Sequence, residues 1–285
     1  MTRSDHARNT APSAYPQDDD ASESDGVRTV PCPPSWRVVS EAMLTRWLAG
    51  RPVGRLGDML REFGPRLWTA DGPSVDFYGF PYPTRMVVAR LADGSAWVWS
   101  PVALTPELER AVEAVGPVRN VVSPNKIHHL FLAEWATRWP AARLHAPPGL
   151  AARKPELRFD VELGDAPDPA WADEIDQVLF RGSFALEEVV FFHRPSRTAI
   201  VCDLVQRHDP AHLTGWKRWL MRLDGVVGEQ GSTPREWRAS FWRRHPARAA
   251  RERVLAWKPD RLIVAHGACA SGGATPILSR ALAWL

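Results

Sequence analysis

Short apolar runs separated by turn residues dominate the chain from Leu67 onward, and this pattern predicts strands more than long amphipathic helices. The runs at 85–91 and 95–99 flank Ala92-Asp93-Gly94, and a glycine in so short a connection indicates a β-hairpin. Further strands are predicted at 118–122, 143–146, 177–180, 188–192, 198–202 and 261–265. Arg194-Pro195-Ser196-Arg197 joins two of these strands and predicts a second hairpin.

Helices are predicted between and after the strands. Thr105-Pro106-Glu107 supplies a capping side chain, a proline suited to the first helical position and an acid for the first turn. This helix should run to about Val115, where Gly116-Pro117 ends it. Residues 130–138 and the basic stretch 216–253 are also predicted to be helical. This order of elements favours a layered α/β sandwich of sheets and helices.

The amino-terminal residues lack the strand pattern. Residues 1–30 are rich in Ser, Asp and Ala and have no periodic apolar positions, so we expect a disordered tail that can be deleted with little change in thermal midpoint. Residues 31–66 have apolar positions at helical spacing, with helices expected near 38–48 and 56–63, and form a helical amino-terminal extension. The main domain is therefore placed at 67–285.

Potential metal ligands stand at the ends of three predicted strands. The loop Ser123-Pro124-Asn125-Lys126-Ile127-His128-His129 follows one strand, Asp203 ends a second and His266 ends a third. The carboxyl ends of strands in an α/β sheet face a single crevice, so these side chains are expected to converge. A separation of more than about 8 Å between Asp203 and His266 would contradict a shared site, because zinc ligands lie about 2 Å from the metal.

Composition narrows the class of protein. The chain has 285 residues, of which 45% are hydrophobic, and is long enough to bury a substantial core. A net charge of +3 does not require a nucleic-acid partner unless the charge is concentrated locally, as it is in residues 216–253 with ten Lys and Arg among several Trp. Three scattered cysteines argue against a secreted disulfide framework. Neither a signal peptide nor a membrane-spanning apolar run is apparent, so a cytoplasmic location is expected.

The order of elements and ligands resembles the metallo-β-lactamase superfamily from about Leu67 to the carboxyl terminus. Shared features are a hairpin, a histidine cluster at a strand-to-helix turn, a strand ending in Asp and a strand ending in His-Gly. The strings Ser-Pro-Asn-x-x-His-His, Phe-His-Arg-Pro-Ser-Arg-Thr and Val-Ala-His-Gly are similar to those of a branch known only as a domain of unknown function. The resemblance implies an αβ/βα metallo-β-lactamase-like sandwich.

The resemblance also carries a ligand pattern, and this chain departs from it. In the superfamily a His-x-His-x-Asp-His loop, a further His, a bridging Asp and a late His hold one or two metals, usually zinc. By resemblance His129 takes the last position of the loop, and His128 stands where the loop has Asp. Lys126 and Pro124 stand where it has its earlier histidines. The turn that normally carries the further His is Gly182-Ser183-Phe184. The first metal site is therefore expected to be lost.

The resemblance implies that the ligands of the second metal site are retained. These ligands are His128, His129, Asp203 and His266. Three imidazoles and a carboxylate suit one divalent ion, zinc or alternatively iron, which would activate water for hydrolysis. This implies a metal-dependent hydrolase-like protein with a mononuclear centre and an unknown substrate. Because His128 replaces the loop Asp that handles the proton of the attacking water, the alternative is a non-catalytic descendant without metal that acts as a binding module.

Asn125, Lys126 and His193 are further site candidates. Lys126 is hypothesised to replace the lost metal electrostatically, with its ammonium near Asp203 or facing the cleft; the alternative is a solvent-facing turn lysine. A structural role is favoured for His193 over metal ligation, because it begins a hairpin turn.

The basic Trp/Arg stretch 216–253 has three interpretations. The favoured one is that its Trp rings pack the helices onto the sheet while its Arg side chains face water. A second is a helical lid over the site. The third is a surface for nucleic acid or anionic lipid, to which arginines supply charge and aromatic rings supply stacking.

Overall fold

The computed structural model describes residues 59–77, 80–210 and 215–285. The predicted tail at 1–30 and most of the predicted extension at 31–66 lie outside these ranges. The described part contains thirteen strands. They are β1 (Arg61–Gly64), β2 (Leu67–Asp71), β3 (Val75–Phe77), β4 (Phe80–Tyr82), β5 (Arg85–Arg90), β6 (Ala96–Trp99), β7 (Val118–Val122), β8 (Arg143–Ala146), β9 (Val161–Glu162), β10 (Ile175–Phe180), β11 (Glu188–His193), β12 (Thr198–Val201) and β13 (Arg261–Val264).

The strands form two main sheets and a separate hairpin. The larger sheet has seven strands in the order β1-β2-β5-β6-β7-β8-β9, and the smaller has four in the order β10-β11-β12-β13. β3 and β4 pair only with each other. In the larger sheet the pairs up to β5–β6 are antiparallel and the pairs from β6–β7 onward are parallel. In the smaller sheet only the β12–β13 pair is parallel.

Seven helices lie in the described ranges, and none of them combines the length and apolar character needed to cross a bilayer. They are α1 (Pro106–Val115), α2 (Leu132–Arg138), α3 (Leu150–Arg153), α4 (Gly215–Asp224), α5 (Arg235–Ser240), α6 (Arg244–Ala256) and α7 (Ala274–Ala281). The predicted cap of α1 is present, because the Thr105 hydroxyl accepts a hydrogen bond from the Leu108 N–H at 3.2 Å.

Alternation along the strands builds three apolar layers. Val87 and Trp97 point from the larger sheet into the space between the sheets, where they meet Phe191 and Ile263 of the smaller sheet. The opposite faces pack under helices. On the larger sheet these outward residues include Met86, Val88, Ala96 and Val98, which cluster with Leu108 and Val112 of α1 and Trp135 of α2. On the smaller sheet they include Ala199, Val201, Leu262 and Val264, which cluster with residues of α6 and α7. The result is the helix–sheet–sheet–helix sandwich that was expected.

The predicted helix at 56–63 is wrong over its last three residues. Arg61–Gly64 is strand β1, which pairs antiparallel with β2 across a turn in which Arg66 has φ 59°. The larger sheet therefore begins within the stretch assigned to the extension. Pairing with a neighbouring strand outweighed the helical spacing of the apolar residues. The helix propensities of ordinary residues differ by only about 0.5 kcal/mol per residue, so they are a weak constraint.

Candidate metal centre

His128, Asp203 and His266 bring one ligand atom each to a common point near the carboxyl ends of β7, β12 and β13. Nε2 of His128 lies 3.2 Å from Nε2 of His266 and 3.4 Å from Oδ2 of Asp203. Nε2 of His266 lies 3.1 Å from Oδ1 of Asp203. A tetrahedral zinc ion with bonds of about 2.0–2.1 Å separates its ligand atoms by about 3.3 Å. The spacing of these three atoms therefore fits one zinc ion.

The second nitrogen of each imidazole has its own partner. Nδ1 of His266 lies 2.7 Å from the carbonyl oxygen of Pro83, which only accepts, so Nδ1–H donates and Nε2 presents its lone pair to the cluster. Nδ1 of His128 lies 2.7 Å from the hydroxyl of Ser100. Ser100 has φ 50°, a left-handed conformation uncommon for a residue with a side chain. Both rings are thus oriented as metal-ligating histidines usually are.

The cluster is buried, and this decides its protonation. Burial lowers the pKa of His128 to about 4. Burial also opposes ionisation of Asp203, but the two imidazoles and the Asn125 amide outweigh it and lower the pKa of this carboxyl to about 2. At neutral pH His128 is therefore neutral and Asp203 is a carboxylate, which are the forms that bind a divalent metal.

Asn125 connects the loop to the carboxylate. Its Nδ2 donates to Oδ2 of Asp203 at 2.8 Å and lies 3.2 Å from Oε2 of Glu188. Its Oδ1 accepts from the backbone N–H of Ile127 at 2.9 Å and of His128 at 3.1 Å. Asn125 therefore sets both the turn that presents His128 and the direction of the Asp203 carboxylate.

Glu188 is a fully buried carboxylate that the sequence analysis missed. It opens β11, and its two oxygens accept the backbone N–H groups of Cys202 at 2.8 Å, Asp203 at 2.8 Å and Leu204 at 3.0 Å. Burial, and then the neighbouring Asp203 carboxylate, raise the pKa of Glu188 to about 8. An acid at the start of an apolar run gives no sequence signal of this role, because its partners are backbone groups of a distant segment.

Glu188, Cys202 and Asp203 form a second group whose potential ligand atoms lie within 4.8 Å of one another. The oxygens of Glu188 are already engaged by backbone N–H groups, and Cys202 lies in the apolar layer between the sheets. Burial raises the pKa of the Cys202 thiol well above its usual value, which disfavours the thiolate that metals bind. This group is accordingly structural.

The structure does not bring His129 to the cluster. Burial, followed by the charges of Lys154 and Arg153, lowers the pKa of His129 to about 4. This histidine belongs to neither potential metal-binding group among the described residues. The adjacent histidines therefore diverge, because the turn held by Asn125 points only His128 towards Asp203.

Lys126 and His193 also lie away from the cluster. Nζ of Lys126 is 3.8 Å from Oε2 of Glu187, and the lysine does not line the cleft beside the cluster, so the hypothesis that its ammonium faces Asp203 or the cleft is wrong. His193 ends β11, about 17 Å from Glu188 at the usual rise per residue. Its Nδ1 lies 2.7 Å from the Ser196 hydroxyl, which fits the favoured structural role.

The cluster adjoins a cleft that opens to solvent. Tyr82, Phe131 and Trp237 supply aromatic surface to its walls, and Gln206 and Glu236 supply polar groups. The ring of Tyr82 meets that of His266 edge-on, with centroids 5.2 Å apart. A concave lining of aromatic side chains with a few polar groups is typical of small-molecule sites.

The Trp/Arg stretch serves more than one purpose. Glu236 and Trp237 of α5 line the cleft, as the lid interpretation requires. Helix α6 packs onto the smaller sheet through Ala247, Ala250 and Val254, and not through Trp rings as the packing interpretation expected. Trp219 and Trp242 are 62% and 83% exposed, and these two rings do not contribute to a core.

Solved structures with similar folds include several metallo-β-lactamases. The metallo-β-lactamase from Pontibacter korlensis is 12% identical, with a TM-score of 0.51 over 79% of this chain and 97% of that chain. That from Hirschia baltica is 12% identical, with a TM-score of 0.53 over 79% and 96%. FIM-1 from Pseudomonas aeruginosa in its mono-zinc form is 10% identical, with a TM-score of 0.52 over 79% and 94%. At such identities the likeness concerns the fold, and it confirms the predicted sandwich.

Sequence comparisons place the chain more closely. Comparison with curated proteins gave no match. The sequence profile of the family described as "Domain of unknown function (DUF4336)" matches residues 66–215, which is more than half of the chain. The matched region includes Asn125, His128, Glu188 and Asp203, whereas His266 lies beyond it. The chain therefore belongs to the DUF4336 family, and its fold is that of the metallo-β-lactamases.

Proposed function

We propose that this protein is a metal-dependent hydrolase-like protein with one mononuclear centre held by His128, Asp203 and His266. The observation that carries the proposal is the mutual spacing of their three ligand atoms, 3.1 to 3.4 Å. Two imidazoles and one carboxylate are a ligand set used by catalytic zinc, with a further position left open, and by non-haem iron. When bound, such an ion lowers the pKa of coordinated water and polarises a substrate carbonyl or phosphoryl group.

The protein contributes orientation and shielding. The Pro83 carbonyl and the Ser100 hydroxyl hold the outer nitrogens of the two histidines, so their inner nitrogens need little reorganisation to bind an ion. Asn125 holds Asp203, and the aromatic side chains in the cleft walls would cover part of a bound substrate.

A mononuclear centre is favoured over a dinuclear one by the residues that replace the missing ligands. Lys126 pairs with Glu187, away from the cluster. Ser183 is buried, with its hydroxyl 2.6 Å from that of Ser240 and accepting the Leu186 N–H at 2.6 Å. Within the described ranges, the Glu188–Cys202–Asp203 group is the sole alternative cluster. The Glu188 oxygens in it already accept hydrogen bonds from backbone N–H groups. The FIM-1 structure shows that this fold accommodates a mono-zinc form.

Metal analysis tests the proposal, with a matched pair of adjacent histidines. Protein purified without added metal should contain about one equivalent of zinc or iron per chain. His128→Ala should weaken metal affinity at least tenfold, because it removes one of three ligands, whereas His129→Ala should retain the parental affinity. Metal-dependent turnover in a panel of ester, thioester, phosphodiester and lactam substrates, lost in Asp203→Ala, would establish hydrolysis.

Absence of metal from the purified protein, together with zinc affinity no better than that of His128→Ala, would contradict the metal centre. The protein would then be better described as a non-catalytic binding module. Equal losses of affinity in the His128 and His129 variants would contradict the assignment of the ligands.

A second candidate function is binding of a polyanion surface, and one observation favours it. Phe184 and Trp242 are 75% and 83% exposed, their rings meet edge-on at 6.2 Å, and Arg243 and Arg244 follow directly. Exposed aromatic rings beside arginines suit single-stranded nucleic acid or anionic lipid. Binding to a DNA oligonucleotide that weakens with salt and is reduced in Trp242→Ala would support this function, and salt-independent or absent binding would exclude it.

A further inference from the structure

The lining of the cleft has an uneven charge distribution. Besides the histidines and Asp203 of the metal cluster, the ionised side chain that reaches the cleft is that of Glu236. Among the described residues, neither lysine nor arginine lines it. The Arg238 guanidinium donates to the Thr233 carbonyl at 2.6 Å and to the Ser232 hydroxyl, and Arg235, next to Glu236, is exposed and does not line the cleft. Over the described residues, the cleft therefore offers a ligand one carboxylate outside the metal cluster and no lysine or arginine side chain.

Several carboxylates act on the same region. Glu236 is an exposed residue that lines the cleft, and partial desolvation, then the charges of Asp224 and Asp203, raise its pKa. The charges of Glu236, Asp203 and Asp224 likewise add to burial in raising the pKa of the Tyr82 hydroxyl. A metal ion at the cluster would compensate Asp203, whereas Glu236 lies in the first turn of α5, on another element. The negative potential at Glu236 thus remains when the centre is loaded.

The aromatic walls suit a cation as well. Tyr82, Phe131 and Trp237 line the same cleft as Glu236. Aromatic faces attract ammonium and guanidinium groups, and a nearby carboxylate adds a direct ion pair. Away from the metal cluster, an anionic group would meet the Glu236 carboxylate. No lysine or arginine among the described lining residues would compensate for the water that this group loses.

We propose that the cleft selects a substrate whose non-reacting part carries a cationic amine next to an apolar or aromatic group, with Glu236 as the specificity-determining residue. The reaction at the metal cluster is that of the proposed function, and the inference rests on it in this respect. The binding selectivity depends on the side chains that line the cleft and is tested without metal. Substrates that present an anionic group at this position, such as carboxylates or phosphate esters, are disfavoured.

Three probes of similar size and different charge test the proposal: phenethylamine, 2-phenylethanol and 3-phenylpropionate. Binding to the full chain is measured by ligand-observed NMR titration, once with zinc supplied and once after chelation. The chelated protein decides the comparison, because a carboxylate probe would otherwise bind zinc directly. Phenethylamine should bind at least tenfold more tightly than 3-phenylpropionate in the chelated protein.

Two variants separate a local ion pair from overall charge. Glu236→Gln should weaken phenethylamine binding about tenfold and leave 2-phenylethanol binding unchanged. Glu252→Gln changes the net charge equally, but on an exposed position of α6 that does not line the cleft, and should bind all three probes like the parent. Equal binding of amine and carboxylate, no measurable amine binding, or an amine affinity that Glu236→Gln leaves unchanged would each overturn the proposal.

The outcome is independent of the metal analysis. Amine selectivity in a protein that holds no metal would support the cleft and refute the metal centre. One equivalent of metal without amine selectivity would support the centre and refute the cleft specificity.

Discussion

Replacing Glu188 with alanine is expected to affect both stability and the metal cluster. The side chain is fully buried and accepts three backbone N–H groups from residues 202–204, and its Oε2 also lies 3.2 Å from the Asn125 amide nitrogen. These bonds fix the segment that follows β12, and this segment carries Asp203. Glu188 therefore positions Asp203, a proposed metal ligand, without belonging to the proposed ligand set.

The magnitude follows from the partners that would be left without an acceptor. Each buried donor left unsatisfied costs about 1–3 kcal/mol. Water entering the space vacated by the side chain would satisfy some of the three N–H groups, so we expect Glu188→Ala to lower the free energy of unfolding by about 3–5 kcal/mol. That is a large share of the 5–15 kcal/mol that typical domains possess. Movement of the Asp203 segment should also weaken metal affinity about 10- to 100-fold.

Urea unfolding of the chelated protein, followed by circular dichroism, measures the stability change, and zinc competition titration measures the affinity. The matched control is Glu187→Ala at the preceding position, where the carboxylate is partly exposed and pairs with Lys126 at 3.8 Å. A pair of this kind contributes at most about 1 kcal/mol. If Glu188→Ala were no less stable than Glu187→Ala, or kept the parental zinc affinity, the positioning role would be refuted.

Three further outcomes are expected. Lys126→Met should leave zinc affinity unchanged and cost under about 1 kcal/mol in urea unfolding, because its partner is the part-exposed Glu187, and a large loss of affinity would restore an electrostatic role at the cluster. Burial lowers the pKa of both His145 and His193 to about 4, below the usual value of about 6.5, so the unfolded state binds more protons between these pH values. Stability should be complete above about pH 6.5 and fall towards pH 4, by up to about 3 kcal/mol per histidine, and a urea midpoint that does not change with pH would contradict this. Gly267→Ala should destabilise the protein and reduce its metal content. Gly267 has φ 108°, and an added Cβ would lie 2.0 Å from the backbone carbonyl oxygen of Arg207. The strain would fall directly after His266.

Much of the framework was predictable from sequence because its signals are local. Alternation of apolar residues in β5, β6 and β12 sets which side chains enter the inter-sheet layer, and the sequence shows that alternation directly. The Thr105 cap of α1 is equally local. The positions of Asp203 and His266 immediately after apolar strands indicated a common edge, since strand ends are sequence features and sheet edges gather them.

Other features depended on contacts between distant segments. Which of the two adjacent histidines faces Asp203 is decided by the Asn125 side chain, which bonds the loop backbone at one end and Asp203 at the other. The roles of Glu188 and Lys126 depend on partners up to 63 positions away in the sequence, such as Asn125 for Glu188 and the partly exposed Glu187 for Lys126. No local pattern encodes them. A strand's period places its side chains on one face or the other, but the direction of a side chain in an irregular turn follows from the hydrogen-bond partners that the folded chain brings to it. For that reason the sequence determined the sheet edge at which the site lies, and the tertiary structure decided which residues form it.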